Sequence, residues 1–311
     1  MALTTTQQRL PSRGKGKKST EFDNNKLFAW IWIAPAAIFA LIFLVYPTVQ
    51  TIIWSFQNGD STKFVGLKNY ATIFTSSNLL EVLKNNIFWL FLATAGTVIL
   101  GLIIAVLADR VRAESVLKAT IFIPMALSFV AASVIWGFVY AYQPPGQTQI
   151  GLLNAIVTAF GGQPQGWLSD SPGNDIALMV IYVWMWTGFC MVILSAALKG
   201  VPTEILEAAR CDGAGEIRIF LRIIVPMISP TILVVTTTMV INVLKIFDVV
   251  YTLTGGNFHT NVVAMEFYNQ LFNNGLGNFG LGSALAVLLL LAIIPVMIVN
   301  VRRFRAQEAR R

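Results

Sequence analysis

Charge is scarce in this chain. Only 12% of its 311 residues are Asp, Glu, Lys or Arg, about half the quarter that a soluble domain carries, and an ordinary water-soluble fold is thereby excluded. Cysteine is nearly absent as well. Cys190 and Cys211 are too few for a disulfide framework and are expected to be free thiols. The one histidine, His259, has no Cys, His or carboxylate cluster spaced as metal ligands around it, so it reads as a surface residue and no metal or cofactor is expected. No arrangement of nucleophile and base offers a candidate for catalysis. A Gly-x-x-x-x-Gly-Lys-Ser/Thr phosphate loop is missing too, which excludes the chain as an ATPase of that kind.

What the chain has instead is hydrophobic residues, 56% of the total. They fall in runs such as Ile87–Ala108, which at 1.5 Å per residue reaches roughly 33 Å and can cross a hydrocarbon core of roughly 30 Å. Six membrane-spanning helices are predicted: Phe28–Ile53, Asn86–Ala108, Thr120–Tyr142, Ile176–Leu198, Ile228–Val250 and Leu281–Val301. The expected fold class is therefore all-α and polytopic. Pro35, Pro47, Pro124, Pro230 and Pro295 lie within or at the ends of these runs, which a bundle tolerates because neighbouring helices satisfy the freed carbonyls.

Lys and Arg are distributed unequally between the runs. Arg9, Arg13, Lys15, Lys17, Lys18 and Lys26 precede the first run, and Arg110, Arg112 and Lys118 follow the second. Lys199, Arg210, Arg218 and Arg222 follow the fourth, and Arg302, Arg303, Arg305, Arg310 and Arg311 follow the last. The opposite side holds Lys63, Lys68 and Lys84. Positive residues collect on the cytoplasmic side, so both termini are predicted to be cytoplasmic in a multi-pass cell-membrane protein. The net charge of +7 then serves topology and contact with lipid, not nucleic acid. Residues 1–27 read as a disordered basic tail lacking the apolar core of a cleavable signal, 28–301 as the membrane domain, and 302–311 as a second tail. Two long outer loops carry no Lys or Arg. One contains a short amphipathic helix around Ile150–Phe160, and the other, from Leu253 to Gly280, is rich in Gly and Asn. Loops of this length usually carry function or a partner surface.

The best-charged helical stretch lies between the fourth and fifth runs, within residues 199–227: PTEILEAARCDGAGEIRIFLRIIVP, from Pro202 to Pro226. Pro202 suits a first helical turn, and Glu204 and Glu207 lie near the positive end of the helix dipole. Asp212-Gly213 is expected to close this helix, since Gly adopts the left-handed conformation freely. A second helix puts Ile217, Phe220, Leu221 and Ile224 on one face and Glu216, Arg218 and Arg222 on the other, ending at Pro226. Composition leaves two roles open, docking onto another protein or lying flat in the headgroup layer.

The stretch EAARCDGAGEIRIFLRIIVP resembles the EAA loop of permease subunits in binding-protein-dependent ABC importers, with Glu207, Ala208, Ala209, Gly213, Ile223 and Pro226 in register and Val225 where Leu is usual. FVGLKNYATIF (Phe64–Phe74), IGLLNAIV followed by WLSD, and IFDVVYTLTGG (Ile246–Gly256) are similar to the carbohydrate-uptake branch, on the side of the maltose importer's larger membrane subunit. The resemblance covers roughly residues 28–305 and implies the type I ABC-importer permease fold with a cytoplasmic coupling helix. It also implies that Glu207, Ala208, Ala209, Asp212 and Gly213 contact an ATPase. The implied partners are a second homologous permease subunit, two ATPase subunits that bind the ATP, an extracytoplasmic solute-binding protein and membrane lipid. A stand-alone secondary transporter would show inverted repeats, which are not seen.

A sugar site needs aromatic faces and polar partners. Trp184 and Trp186 lie near the middle of the fourth run, where tryptophan is unusual, and point about 200° apart, so one at most faces a pathway. Trp184 shares its face with Thr187 and Gly188, where a small residue would leave room for a solute, although packing between helices is an equal alternative. Asn242, Lys245 and Asp248 recur at i+3 on the fifth run and are expected to line one side of the path, or, for Lys245 and Asp248, to pair and reach the headgroups. The similarity points to an α-linked disaccharide or a glycosylated osmolyte, with glycerol phosphate as a rival.

Overall fold

The computed structural model describes residues 25–109, 111–273, 275 and 277–308. The basic residues Arg9, Arg13, Lys15, Lys17, Lys18, Arg110, Arg310 and Arg311, the expected tail before Asn25 and the last three residues of the expected C-terminal tail lie outside the described residues. No strand is present among the described residues, apart from an isolated bridge between Gln57 and Phe64.

The chain divides into two units, up to Gln50 and from Thr51 onward. In the first, helix α1 (Asn25–Ala40) passes through a π-helical turn, Leu41–Val45, into α2 (Tyr46–Trp54), which continues across the boundary. The rings of Phe39 and Phe43 meet there at a tilt, with centroids 4.4 Å apart.

In the second unit, α3 (Lys68–Thr75) leads to α4 (Ser77–Ala108), α5 (Glu114–Phe122) and α6 (Phe129–Val139). After α7 (Leu152–Ala159) come α8 (Gly173–Lys199), α9 (Thr203–Cys211), α10 (Glu216–Ile219) and α11 (Val225–Leu244). The last three are α12 (Asp248–Leu253), α13 (Val263–Tyr268) and α14 (Phe279–Glu308). Among the described residues five helices are long and apolar enough to cross a membrane, or six where the bent pair of α5 and α6 is counted as one broken span.

Close packing centres on α8 against α4. Gly101 allows it, since a Cβ there would fall 2.5 Å from the Cβ of Cys190. Small residues at such crossings let backbones approach where the bilayer itself offers no hydrophobic drive for helix association. Trp89, Leu178, Ile181, Tyr182, Met191 and Leu194 are buried along this seam. Three buried hydroxyls are satisfied within their own helices: Thr97 donates to the Ala93 carbonyl and Thr187 to the Val183 carbonyl, each at 2.6 Å, and Ser133 donates to the Phe129 carbonyl at 2.8 Å. That bonding is what makes polar side chains tolerable at this depth.

Two predicted spans differ from the expectation. The third, expected as one helix over Thr120–Tyr142, is broken: α5 tightens into a 3₁₀ turn at Ile123–Ala126, and α6 leaves at 100°. Pro124 carries no N–H to continue the ladder, and the Ser128 hydroxyl caps the new helix by accepting from the Ala131 N–H at 3.1 Å. The fifth, expected over Ile228–Val250, ends at Leu244. Lys245, Ile246 and Phe247 leave the helix, and α12 restarts with Asp248 in its first turn. The second helix of the charged stretch also does not stop at Pro226. It passes through a π turn at Phe220–Ile224 directly into α11, so that Glu216–Leu244 forms one span.

Candidate functional site

Helix α9 is short, charged and exposed. It begins at Thr203 with Pro202 as the residue before the first turn, one position earlier in the cap than expected. Its far end closes as a Schellman turn: the Ala214 N–H reaches the Ala209 carbonyl and the Gly213 N–H reaches the Arg210 carbonyl, both at 3.0 Å. Gly213 has φ +77° and open space around the position of a Cβ, so it is there for backbone conformation and not for lack of room. Arg210 then reaches over the turn and holds Glu216 with Nε–Oε1 at 2.7 Å and Nη2–Oε2 at 3.3 Å. The Glu216 carboxylate keeps the Arg210 guanidinium above its ordinary value. Glu207, Ala208, Asp212 and Gly213 are exposed, and Ala209 is half-buried.

Beneath α9 the helix ends are tied together. Lys199, the last residue of α8, bonds Glu114 at 2.6 Å and lies 3.8 Å from Asp109 at the end of α4. Lys118 contacts both Glu114 and the Ser195 hydroxyl. These contacts join the ends of α4, α5 and α8 to one another. A groove of about 530 Å³ runs between Val106, Leu206, Phe220 and Leu221 on the same side.

A second feature lies where the fifth span breaks. Phe129, Tyr182, Trp186, Asn242, Lys245 and Asp248 line a pocket of about 230 Å³. The ring of Phe129 stacks on Tyr182 at 6.1 Å, and Trp186 stands 6.3 Å from Tyr182. The Tyr182 hydroxyl and the Trp186 indole N–H are buried without a hydrogen-bond partner. A buried orphan donor costs about 1–3 kcal/mol, and both residues border the pocket. Lys245 and Asp248 are exposed, and no ion pair joins them among the described residues. Aromatic faces beside amide, hydroxyl and carboxylate groups suit a polyhydroxylated solute.

Of the six predicted path residues, Asn242, Lys245 and Asp248 meet at this pocket, brought there by a helix break and not by one continuous face. Trp184, Thr187 and Gly188 do not line it. Trp184 packs edge-on against Trp136 at 5.8 Å. The room expected at Gly188 is already taken, since a Cβ there would sit 2.5 Å from the Ile121 carbonyl oxygen of α5. Sequence reasoning missed Phe129 and Tyr182. Tyr182 lies four residues before Trp186 on the same helical face, a spacing that was available as a signal, whereas Phe129 is brought in only by the bend at Ser128.

His259 lies in the loop between α12 and α13, where it contacts Glu81 at 2.6 Å through Nδ1. Among the described residues no group of three potential ligands could hold a metal ion.

Residues 72–305 match the family described as the binding-protein-dependent transport system inner membrane component. The chain belongs to this family. It is thus an inner-membrane permease subunit of an ABC importer. The osmoprotective compounds uptake permease protein GgtC of Synechocystis sp. is 56% identical over 278 residues, covering 89% of this chain and 99% of that protein. The alpha-glucoside transport system permease protein AglF of Rhizobium meliloti is 45% identical over 278 residues, covering 89% of this permease and 82% of the relative. In fold, the permease matches a chain of the bacterial alginate ABC transporter crystallised with its alginate pentasaccharide-bound periplasmic protein. That match has a TM-score of 0.73 at 18% identity and covers 89% of this permease and 93% of that chain.

Proposed function

We propose that this permease pairs with a second homologous permease subunit and passes into the cell a carbohydrate delivered by an extracytoplasmic solute-binding protein. The energy comes from ATP bound and hydrolysed on two separate ATPase subunits, one of which docks on α9 through Glu207, Ala208, Ala209, Asp212 and Gly213. The observation that carries this reading is the exposure of α9, closed by a left-handed glycine and stapled by Arg210 and Glu216. Both termini are cytoplasmic, in keeping with the crowding of Lys and Arg on the α9 side.

The solute is an α-linked disaccharide or a glycosylated osmolyte, held by Tyr182, Trp186, Asn242, Lys245 and Asp248. The names of the two sequence relatives, which refer to osmoprotective compounds and alpha-glucosides, support this class. Glycerol phosphate fits less well, because Asp248 shares the pocket with Lys245 and repels a phosphate dianion. Uptake of a radiolabelled panel by the reconstituted importer tests the assignment. An α-glucoside or a glucosylated osmolyte should accumulate with ATP, and accumulation of glycerol phosphate alone would overturn it.

A further inference from the structure

Where the fifth span begins, its surface carries a hollow of about 650 Å³ lined by Gly215, Glu216, Ile217, Arg218, Leu221 and Arg222. The cations of this hollow are unpaired. Lys118, Lys199 and Arg210, on the same side of the protein, each hold a carboxylate. Arg218 and Arg222 are exposed, and no ion pair reaches either of them among the described residues. Glu216, the one carboxylate in the hollow, is already bonded by Arg210. The two arginines stand four residues apart on one helical face, Arg222 within the π turn at Phe220–Ile224. Ile217 and Leu221 repeat that spacing beside them and are 78% and 59% exposed.

The level of the hollow follows from its neighbours. Ile217 and Leu221 also wall the groove that takes in Val106 and Asp109 around the end of α4, and Leu198 and Val201 around the end of α8. Two other spans therefore leave the hydrocarbon at this level, which is where the phosphates of a bilayer lie. A guanidinium offers a phosphate two parallel hydrogen bonds, and clustered basic residues at a membrane surface attract anionic lipid.

We infer that the hollow holds one anionic phospholipid, of the phosphatidylglycerol type, in the leaflet on the α9 side. Its phosphate accepts from Arg218 and Arg222, and its glycerol backbone and the start of one acyl chain cover Ile217 and Leu221. A zwitterionic lipid fits less well, because it brings an ammonium beside two guanidiniums where the only carboxylate is taken. Free phosphate would leave the two apolar side chains uncovered. The site is separate from the central pocket and from the residues of α9 proposed to meet the ATPase, so its occupancy depends on neither reading.

Native mass spectrometry of the assembled importer, released from vesicles of equal phosphatidylglycerol and phosphatidylethanolamine, tests the inference by counting retained lipids. The double variant Arg218→Gln with Arg222→Gln should carry one phosphatidylglycerol fewer than wild type, with phosphatidylethanolamine unchanged. Arg222→Gln alone should raise the phosphatidylglycerol content needed for half-occupancy about tenfold, as loss of one charged hydrogen bond implies. Arg222→Lys, which keeps the charge and loses the fork, should fall between. Both side chains are exposed, so these variants are expected to assemble normally. An unchanged phosphatidylglycerol count in the double variant, or an equal loss of the two lipids, would overturn the inference. So would efficient disulfide cross-linking of a Leu221→Cys permease, with Cys211→Ser, to an ATPase subunit carrying a surface cysteine, which would make the hollow a protein interface.

Discussion

Arg210 and Glu216 face each other across the turn at Gly213, joined by two roughly parallel hydrogen bonds of 2.7 and 3.3 Å. The pair links the end of α9 to the first residue of the helix that becomes the fifth span. It is exposed, so its worth to folding is small. In the proposed coupling role its value is geometric: the pair sets the angle between α9 and the helix that enters the bilayer.

Breaking that pair should therefore cost coupling more than stability. Glu216→Gln is expected to leave the thermal transition of the purified importer nearly unchanged while lowering solute moved per ATP hydrolysed. The exchanged pair Arg210→Glu with Glu216→Arg should recover part of the loss. Paired measurements of ATP hydrolysis and uptake in proteoliposomes check both statements.

Gly213 sets a ranking. A residue other than Gly pays roughly 1–2 kcal/mol in the left-handed region, Asn less than most, and a β-branched residue more. Because nothing lies within 4 Å of a Cβ there, the penalty is one of backbone conformation alone. Uptake should fall in the order Gly213→Asn, Gly213→Ala, Gly213→Val, while the membrane helices stay folded by circular dichroism. Normal uptake by Gly213→Val would argue against a closed turn as the coupling joint.

The two tryptophans of α8 should separate in function. Trp186→Ala removes a wall of the central pocket and is expected to raise the solute concentration needed for half-maximal uptake by about tenfold or more, as loss of an aromatic face and one donor implies. Trp184→Ala loses packing against Trp136 and should act mainly on stability. Tyr182→Phe, which deletes only the hydroxyl, should weaken uptake by a few-fold. Concentration-dependent uptake by the three variants distinguishes the roles.

Close helix crossings set a different kind of limit. A methyl at Gly101 or Gly188 would fall 2.5 Å from Cys190 or from the Ile121 carbonyl. Overpacking of this kind typically costs 1–3 kcal/mol. Gly101→Ala and Gly188→Ala should each lower the thermal transition in detergent, and Gly173→Ala, where nothing lies within 4 Å, should not.

Much of this was legible in the residues. Long uncharged runs locate spans because each backbone group in lipid must bond within its own helix, and Pro202, Asp212 and Gly213 mark a helix by caps whose chemistry is local. The break at Lys245 was not legible. Residues 242–250 contain neither Gly nor Pro and read as one uninterrupted helix. The bend at Ser128 was half visible in Pro124 and Ser128, yet its 100° angle depends on what α6 packs against. Rotation of α8 was hidden for the same reason. Contact of Gly188 with the α5 backbone turns Trp186 inward and Trp184 aside, and that contact joins residues far apart in sequence. Pocket residues that converge through such breaks leave no periodic trace.

The most direct test of the whole account is uptake by proteoliposomes holding this permease alone, set beside uptake by vesicles holding it with its partner permease, the ATPase subunits, the binding protein and ATP. The account predicts accumulation in the complete assembly and none with the single chain. Concentrative uptake by the isolated chain, with no companion subunit and no nucleotide, would contradict it.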